Sequence, residues 1–163
     1  MDENMKKHEF EEMFRQVMKE HYPELHKPEN KRWRAENGNT YWTLHNEGSL
    51  EFIKERNDTI DDKTHKLGNY FKTKEEAELY RKKLVITQKV KDIAIRLGEP
   101  TEDDWKDPDV EKFYFAFDCQ FGDFALHLTR QYKTFGNIYC LDTDFLEVCL
   151  EEIGEEDLKL IFT

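Results

Sequence analysis

One pattern occurs twice in this chain, and it limits what the chain can fold into. Gly68-Asn69-Tyr70-Phe71 leads into Thr73-Lys74-Glu75-Glu76-Ala77-Glu78-Leu79-Tyr80. Sixty-eight residues further on, Gly136-Asn137-Ile138-Tyr139 leads into Asp142-Thr143-Asp144-Phe145-Leu146-Glu147-Val148-Cys149-Leu150. Fixed-period self-similarity marks a supersecondary unit used more than once. Two short alternating runs around a glycine-containing turn precede each copy, the signature of a β-hairpin. The expected fold is therefore α+β: two βββα-like units forming an antiparallel sheet with helices on one face.

In the first unit (38–98), Tyr41 to His45 and Ser49 to Lys54 flank the turn at Asn46-Glu47-Gly48, and 67–72 is the expected third strand. Residues 55–66 are almost wholly polar and are expected as a solvated loop, six residues longer between its glycines than the matching stretch of the second unit. Thr73 and Glu76 have capping-box spacing, in which hydroxyl and carboxylate satisfy each other's backbone amides. Ala77, Tyr80, Leu84, Val90, Ile93, Ala94 and Leu97 then keep a helical period up to Gly98, an expected helix stop.

An acidic linker follows at 99–112 and the second unit at 113–163. Phe113, Phe115 and Phe117 alternate along one strand, Phe124, Leu126 and Leu128 along the next, and 136–141 would be the third. Phe145, Leu146, Cys149, Leu150 and Ile153 share one helix face before Gly154 interrupts it. Ahead of both units, Phe10, Met13, Phe14, Val17 and Met18 form the stripe of an amphipathic helix within residues 1–37.

The chain has 163 residues and a net charge of −11, which opposes general binding to phosphate backbones. The acid is unevenly placed: 99–123 holds nine acidic residues against Lys106 and Lys112, and 142–157 holds eight with no base. Residues 63–91 are comparatively basic. There is no apolar run long enough to span a bilayer and no signal-peptide core, and three cysteines without CxxC spacing fit a reducing cytosol.

No catalytic motif stands out, and the expectation is a protein that is not an enzyme. Ser49 is the only serine and sits in a hairpin turn. Cys119 and His127 are the one nameable nucleophile–base pair; Cys140 and Cys149 fall on apolar faces and read as core. The six histidines lack metal-ligand spacing, no DxDxDG loop organises the acids, and no two glycines lie closer than ten apart, so no metal, cofactor or phosphate cradle is expected.

Two binding surfaces can be written. Asp103, Asp104, Trp105 and Asp107 in the linker, with Glu151, Glu152, Glu155 and Glu156 near the C-terminus, would present carboxylates to a basic protein groove, with Trp105 as an interface anchor. Acid runs are also ordinary solvated surface. The alternative is nucleic-acid contact through Lys31, Arg32, Trp33 and Arg34, combining stacking with phosphate contacts and extended by Arg81, Lys82 and Lys83.

The run from Gly68 to Glu78, with Gly136-Asn137-Ile138-Tyr139 and Glu151-Glu152-Ile153-Gly154-Glu155-Glu156-Asp157-Leu158, resembles motifs in small accessory proteins of bacteriophages and prophages of Gram-positive bacteria. The likeness covers 38–163 and departs at Asp142-Thr143-Asp144, which replaces a Thr-Lys-Glu-Glu start. That family lends no catalytic residues. It implies a mobile-element protein acting in the bacterial cytoplasm, of the sort that blocks host defence machinery such as a CRISPR effector, which handles nucleic acid in a basic groove.

Overall fold

The structure, a computed structural model, describes Met13 and residues 32–162, so the expected helix over 4–20 falls, Met13 apart, outside the described residues, as does Lys31. The order of elements is β1 (Thr40–Leu44), β2 (Leu50–Lys54), α1 (Thr59–Lys66), α2 (Lys74–Gly98), α3 (Glu102–Lys106), β3 (Lys112–Asp118), β4 (Asp123–Thr129), α4 (Phe145–Ile153), α5 (Glu155–Lys159) and a closing 3₁₀ turn (Leu160–Phe162). The fold is α+β, with both hairpins antiparallel: Trp42 lies opposite Phe52, and Phe115 opposite Leu126.

The strands do not merge into one sheet. They form two separate two-stranded sheets, and each expected third strand shrinks to a single bridge. Trp42 and Phe71 exchange two backbone hydrogen bonds of 2.9 Å; Phe113 and Cys140 exchange bonds of 2.7 and 2.9 Å. Local competition explains both truncations. In the first unit the Asn69 side chain takes the next place on β1, accepting from the Leu44 amide and donating to its carbonyl at 2.7 Å each. In the second, the Leu141 amide turns to the Gly98 carbonyl at 2.8 Å. Gly98 permits this meeting: its φ is +124°, and a Cβ there would sit 3.5 Å from that of Leu141.

Helix α2 begins at the expected capping box, with the Glu76 amide donating to Thr73 Oγ1 at 3.2 Å and the Thr73 amide to Glu76 Oε2 at 3.3 Å. Its buried stripe is Ile86, Val90, Ile93 and Ala94. Leu84, expected in the core, is 45% exposed because it lies two residues off that stripe, about 200° around the helix. The main core joins this stripe to Phe115, Phe124, Cys140, Phe145, Cys149 and Leu158. The first unit buries far less carbon: Ala35, Tyr41 and Tyr70, with Ile53 against them.

The stretch read as a loop at 55–66 contains α1. It has no apolar stripe to announce it. An Asp58–Asp61 capping box starts it, with the Asp61 amide donating to Asp58 Oδ1 at 3.0 Å. The linker also carries a helical turn, α3, capped by Thr101 and Asp104.

Because Phe145 has no exposed surface, Phe145→Ala should lower unfolding free energy by about 3–5 kcal/mol in urea titrations.

Candidate functional site: a carboxylate network behind an aromatic groove

Two carboxylates are buried where the sequence suggests solvent. Glu55, at the end of β2, has no exposed surface, and Asp61 in α1 is 2% exposed. Buried carboxylates persist only when their oxygens are bonded. Glu55 Oε1 accepts from Arg34 Nη2 at 2.8 Å and the Asn57 amide at 2.9 Å; Oε2 accepts from the Tyr70 hydroxyl at 2.5 Å. Asp61 Oδ1 accepts from the Tyr41 hydroxyl at 2.8 Å and Oδ2 from the Arg56 amide at 2.7 Å. Tyr41 and Tyr70 stack with ring centres 3.8 Å apart. Arg34 reaches Asp62 as well, at 2.6 Å.

Proton affinities follow from these contacts. Burial alone would raise Asp61, but the Arg56 amide, the Tyr41 hydroxyl and the Asp58 amide outweigh it and hold the carboxyl below its ordinary range. Burial, then the bond to Glu55, pushes Tyr70 up to about 12. Bonds to Glu55 and then Asp62 keep Arg34 more firmly protonated than usual.

This network fixes the chain at 32–35. The Tyr70 hydroxyl accepts from the Ala35 amide at 3.1 Å, and Trp33 packs against the Tyr70 ring at 5.7 Å. On the other side of that chain lies a groove of about 450 Å³, lined by Arg32, Trp33, Gly68, Tyr70, Phe71, Lys72, Glu76, Leu79, Tyr80 and Lys83. Trp33 is 38% exposed and Leu79 44%. Phe71 and Tyr80 line the groove too, 4.9 Å between ring centres.

Of the expected basic segment, Arg32 and Trp33 line the groove, whereas Arg34 points into the carboxylate network and is spent there. Of the helix triplet only Lys83 lines it; Arg81 donates to the Gly48 carbonyl at 3.3 Å and Lys82 pairs with Asp157 at 2.7 Å. Phe71, Leu79 and Tyr80 were not foreseen, since nothing in their spacing reveals that the Gly68–Lys72 segment folds over the start of α2.

Many of the nominated carboxylates are occupied. Asp103 pairs with Lys106 at 2.8 Å, Glu152 with Arg96, and Glu155 and Glu156 both with Lys159 at 2.6 and 3.2 Å. Asp104 accepts from the Thr101 hydroxyl and amide, which lower its proton affinity. Asp107 accepts from the Asp109 amide, and its carbonyl takes Lys112 Nζ at 3.2 Å. Glu151 is exposed with no partner among the described residues. Trp105, expected as an exposed anchor, is half-buried, edge-on to Tyr139 at 5.0 Å, with Lys112 and Lys133 over its ring at 5.3 and 5.5 Å.

Cys119 and His127 do not meet. Cys119 follows β3 at the turn, while His127 is paired with Tyr114, five residues back, or about 17 Å along the strand. Cys140 and Cys149 are fully buried as expected, and burial raises both thiols, Cys149 to about 12. Among the described residues no three His, Cys, Asp or Glu side chains gather to hold a metal, and no helix is long and apolar enough to cross a membrane. No protein-family model, curated protein or solved structure matches this chain.

Stability should fall at both pH extremes for different reasons. Asp61's folded pKa lies below its unfolded value of 3.8, so its contribution is present above that pH and lost as pH drops through the folded value. Tyr70's lies above its unfolded value of 10.0, so its contribution is complete below that pH and lost as pH rises toward about 12. Urea unfolding across pH should show Asp61→Asn flattening the acid limb and Tyr70→Phe the alkaline limb. Tyr70→Phe should also cost about 1.5–3 kcal/mol at neutral pH, since it strips a charged acceptor of a donor.

Proposed function

We propose that this is a non-enzymatic, mobile-element accessory protein that binds a host nucleic-acid-handling protein, of the defence-effector kind, through its acidic linker and second unit. The observation that carries this reading is charge segregation. Residues 99–162 hold seventeen acids against five bases, Lys106, Lys112, Arg130, Lys133 and Lys159, and so account for the whole net negative charge of the chain.

Internal pairing subtracts from this field without cancelling it. Lys106, Arg130 and Lys159, with Lys82 and Arg96 from α2, engage Asp103, Glu111, Glu155, Glu156, Asp157 and Glu152. Exposed pairs of this sort are worth only about 0–1 kcal/mol, so a partner's cations can exchange for them. Glu99, Glu102, Glu147 and Glu151 are exposed and have no partner among the described residues. The reading therefore moves from the paired carboxylates toward these four. Carboxylates standing in for phosphates on a basic groove give fast, salt-sensitive association.

The test is capture by the immobilised chain from a nuclease-treated lysate of a Gram-positive bacterium, with bound proteins identified by mass spectrometry. The expected catch is a nucleic-acid-binding protein released by salt and displaced by added duplex DNA. The double variant Glu147→Lys, Glu151→Lys should lower its retention about tenfold. A catch indifferent to both DNA and the reversal would overturn the proposal.

A further inference from the structure

From the groove between the 32–35 segment and α2 we infer a second binding site, one that takes a single-stranded nucleic acid by stacking an unpaired base and holding the adjoining phosphates. It does not depend on the acidic face, which lies in the other unit.

Nine of the nineteen lysines and arginines among the described residues have a carboxylate or carbonyl partner; of the ten without one, Arg32, Lys72 and Lys83 line the same groove. The one carboxylate in the lining, Glu76, is turned to the backbone, accepting from the Lys72 amide at 2.8 Å and the Thr73 amide at 3.3 Å. The groove thus offers net positive charge with little internal competition.

Aromatic placement narrows the ligand. Trp33, Phe71 and Tyr80 line the groove together with Leu79, while Tyr70, 4% exposed, backs the Trp33 ring from beneath the surface. Every base has a face that stacks on an aromatic ring, and such stacking combined with a cationic rim is how sequence-tolerant single-strand sites are built. An acidic peptide would use the cations and leave the rings idle; a duplex keeps its bases paired inside and cannot enter. The volume of about 450 Å³ is within the range of small-ligand clefts, so the groove takes a base or two, not a long tract.

Rigidity supports the assignment. Trp33 is not on a loose arm, because its neighbours Arg34 and Ala35 are tied to Glu55 and to the Tyr70 hydroxyl. The stacking surface is formed before any ligand arrives, so binding spends little free energy on ordering it.

The test is fluorescence anisotropy of a labelled twelve-residue oligothymidylate against the full chain at low salt. Saturable binding should appear, weaken as salt rises, and resist competition by an unlabelled duplex of equal length. Lys72→Glu with Lys83→Glu should weaken binding at least about tenfold, and Trp33→Ser about tenfold, while Trp33→Phe retains most of it. Lys106→Glu, a single charge reversal in the linker away from the groove, should alter binding less than about twofold. Leu79→Glu, at an exposed helix position, serves as a further groove variant should Trp33→Ser fail to fold by circular dichroism. Absence of binding by the wild type, equal binding of duplex, or an equal loss in Lys106→Glu would overturn the inference. None of these results bears on the loss of lysate capture with Glu147→Lys, Glu151→Lys, which lie outside the groove.

Discussion

A two-stranded hairpin is marginal in water, and the described residues hold two of them. Each has an edge strand paired only at a single bridge and too little area to bury a core by itself. What closes both is one helix. The 25 residues of α2 extend about 37 Å. Its first turns lie by the first hairpin, where Arg81 reaches the Gly48 carbonyl, and its second half supplies Ile86, Val90, Ile93 and Ala94 to the core beneath β3, β4 and α4. The bridges at Phe71 and Cys140 bracket the helix in sequence and tie each of its flanks to a hairpin.

The two units solve the same closure problem with different chemistry. The second uses carbon: phenylalanines, two cysteine thiols and Leu158 pack on the α2 stripe. It also sequesters one cation, Lys112, whose Nζ donates to the carbonyls of Asp107, Val110 and Arg130 and so folds the linker onto the hairpin. The first unit uses stacked tyrosines and satisfied carboxylates. Ion pairs of this buried kind add less net stability than an apolar core of equal volume, but they are unforgiving of displacement, because any shift strands a charge. That strictness suits a unit whose job includes holding Trp33 in one place.

Much of the architecture was legible in the sequence because its signals are local. Alternation marked both hairpins, Thr73 and Glu76 marked the start of α2, and the face from Phe145 to Ile153 with Gly154 after it marked α4 and the break before α5. What failed were inferences that needed tertiary knowledge. The Asn69 side chain displaces a strand from β1, and α1 forms in a segment with no apolar period, held by Asp61 reaching a tyrosine 20 residues away. The Asp58-x-x-Asp61 spacing was the one available hint of that helix. At the groove, Arg32, Trp33 and Lys83 could be nominated from composition. Arg34 could not be told from them, because only the fold reveals the buried carboxylate it serves.

The contrast between the cores has a thermal consequence. Exposing apolar surface raises the heat capacity of unfolding, whereas exposing polar surface lowers it. A hairpin closed by tyrosine hydroxyls and carboxylates therefore has a flatter dependence on temperature than one closed by phenylalanine, and the latter loses more of its driving force on cooling. The halves of this small protein are tuned to different axes. Cold presses hardest on the phenylalanine-lined half, while protons press hardest on the half that carries Asp61.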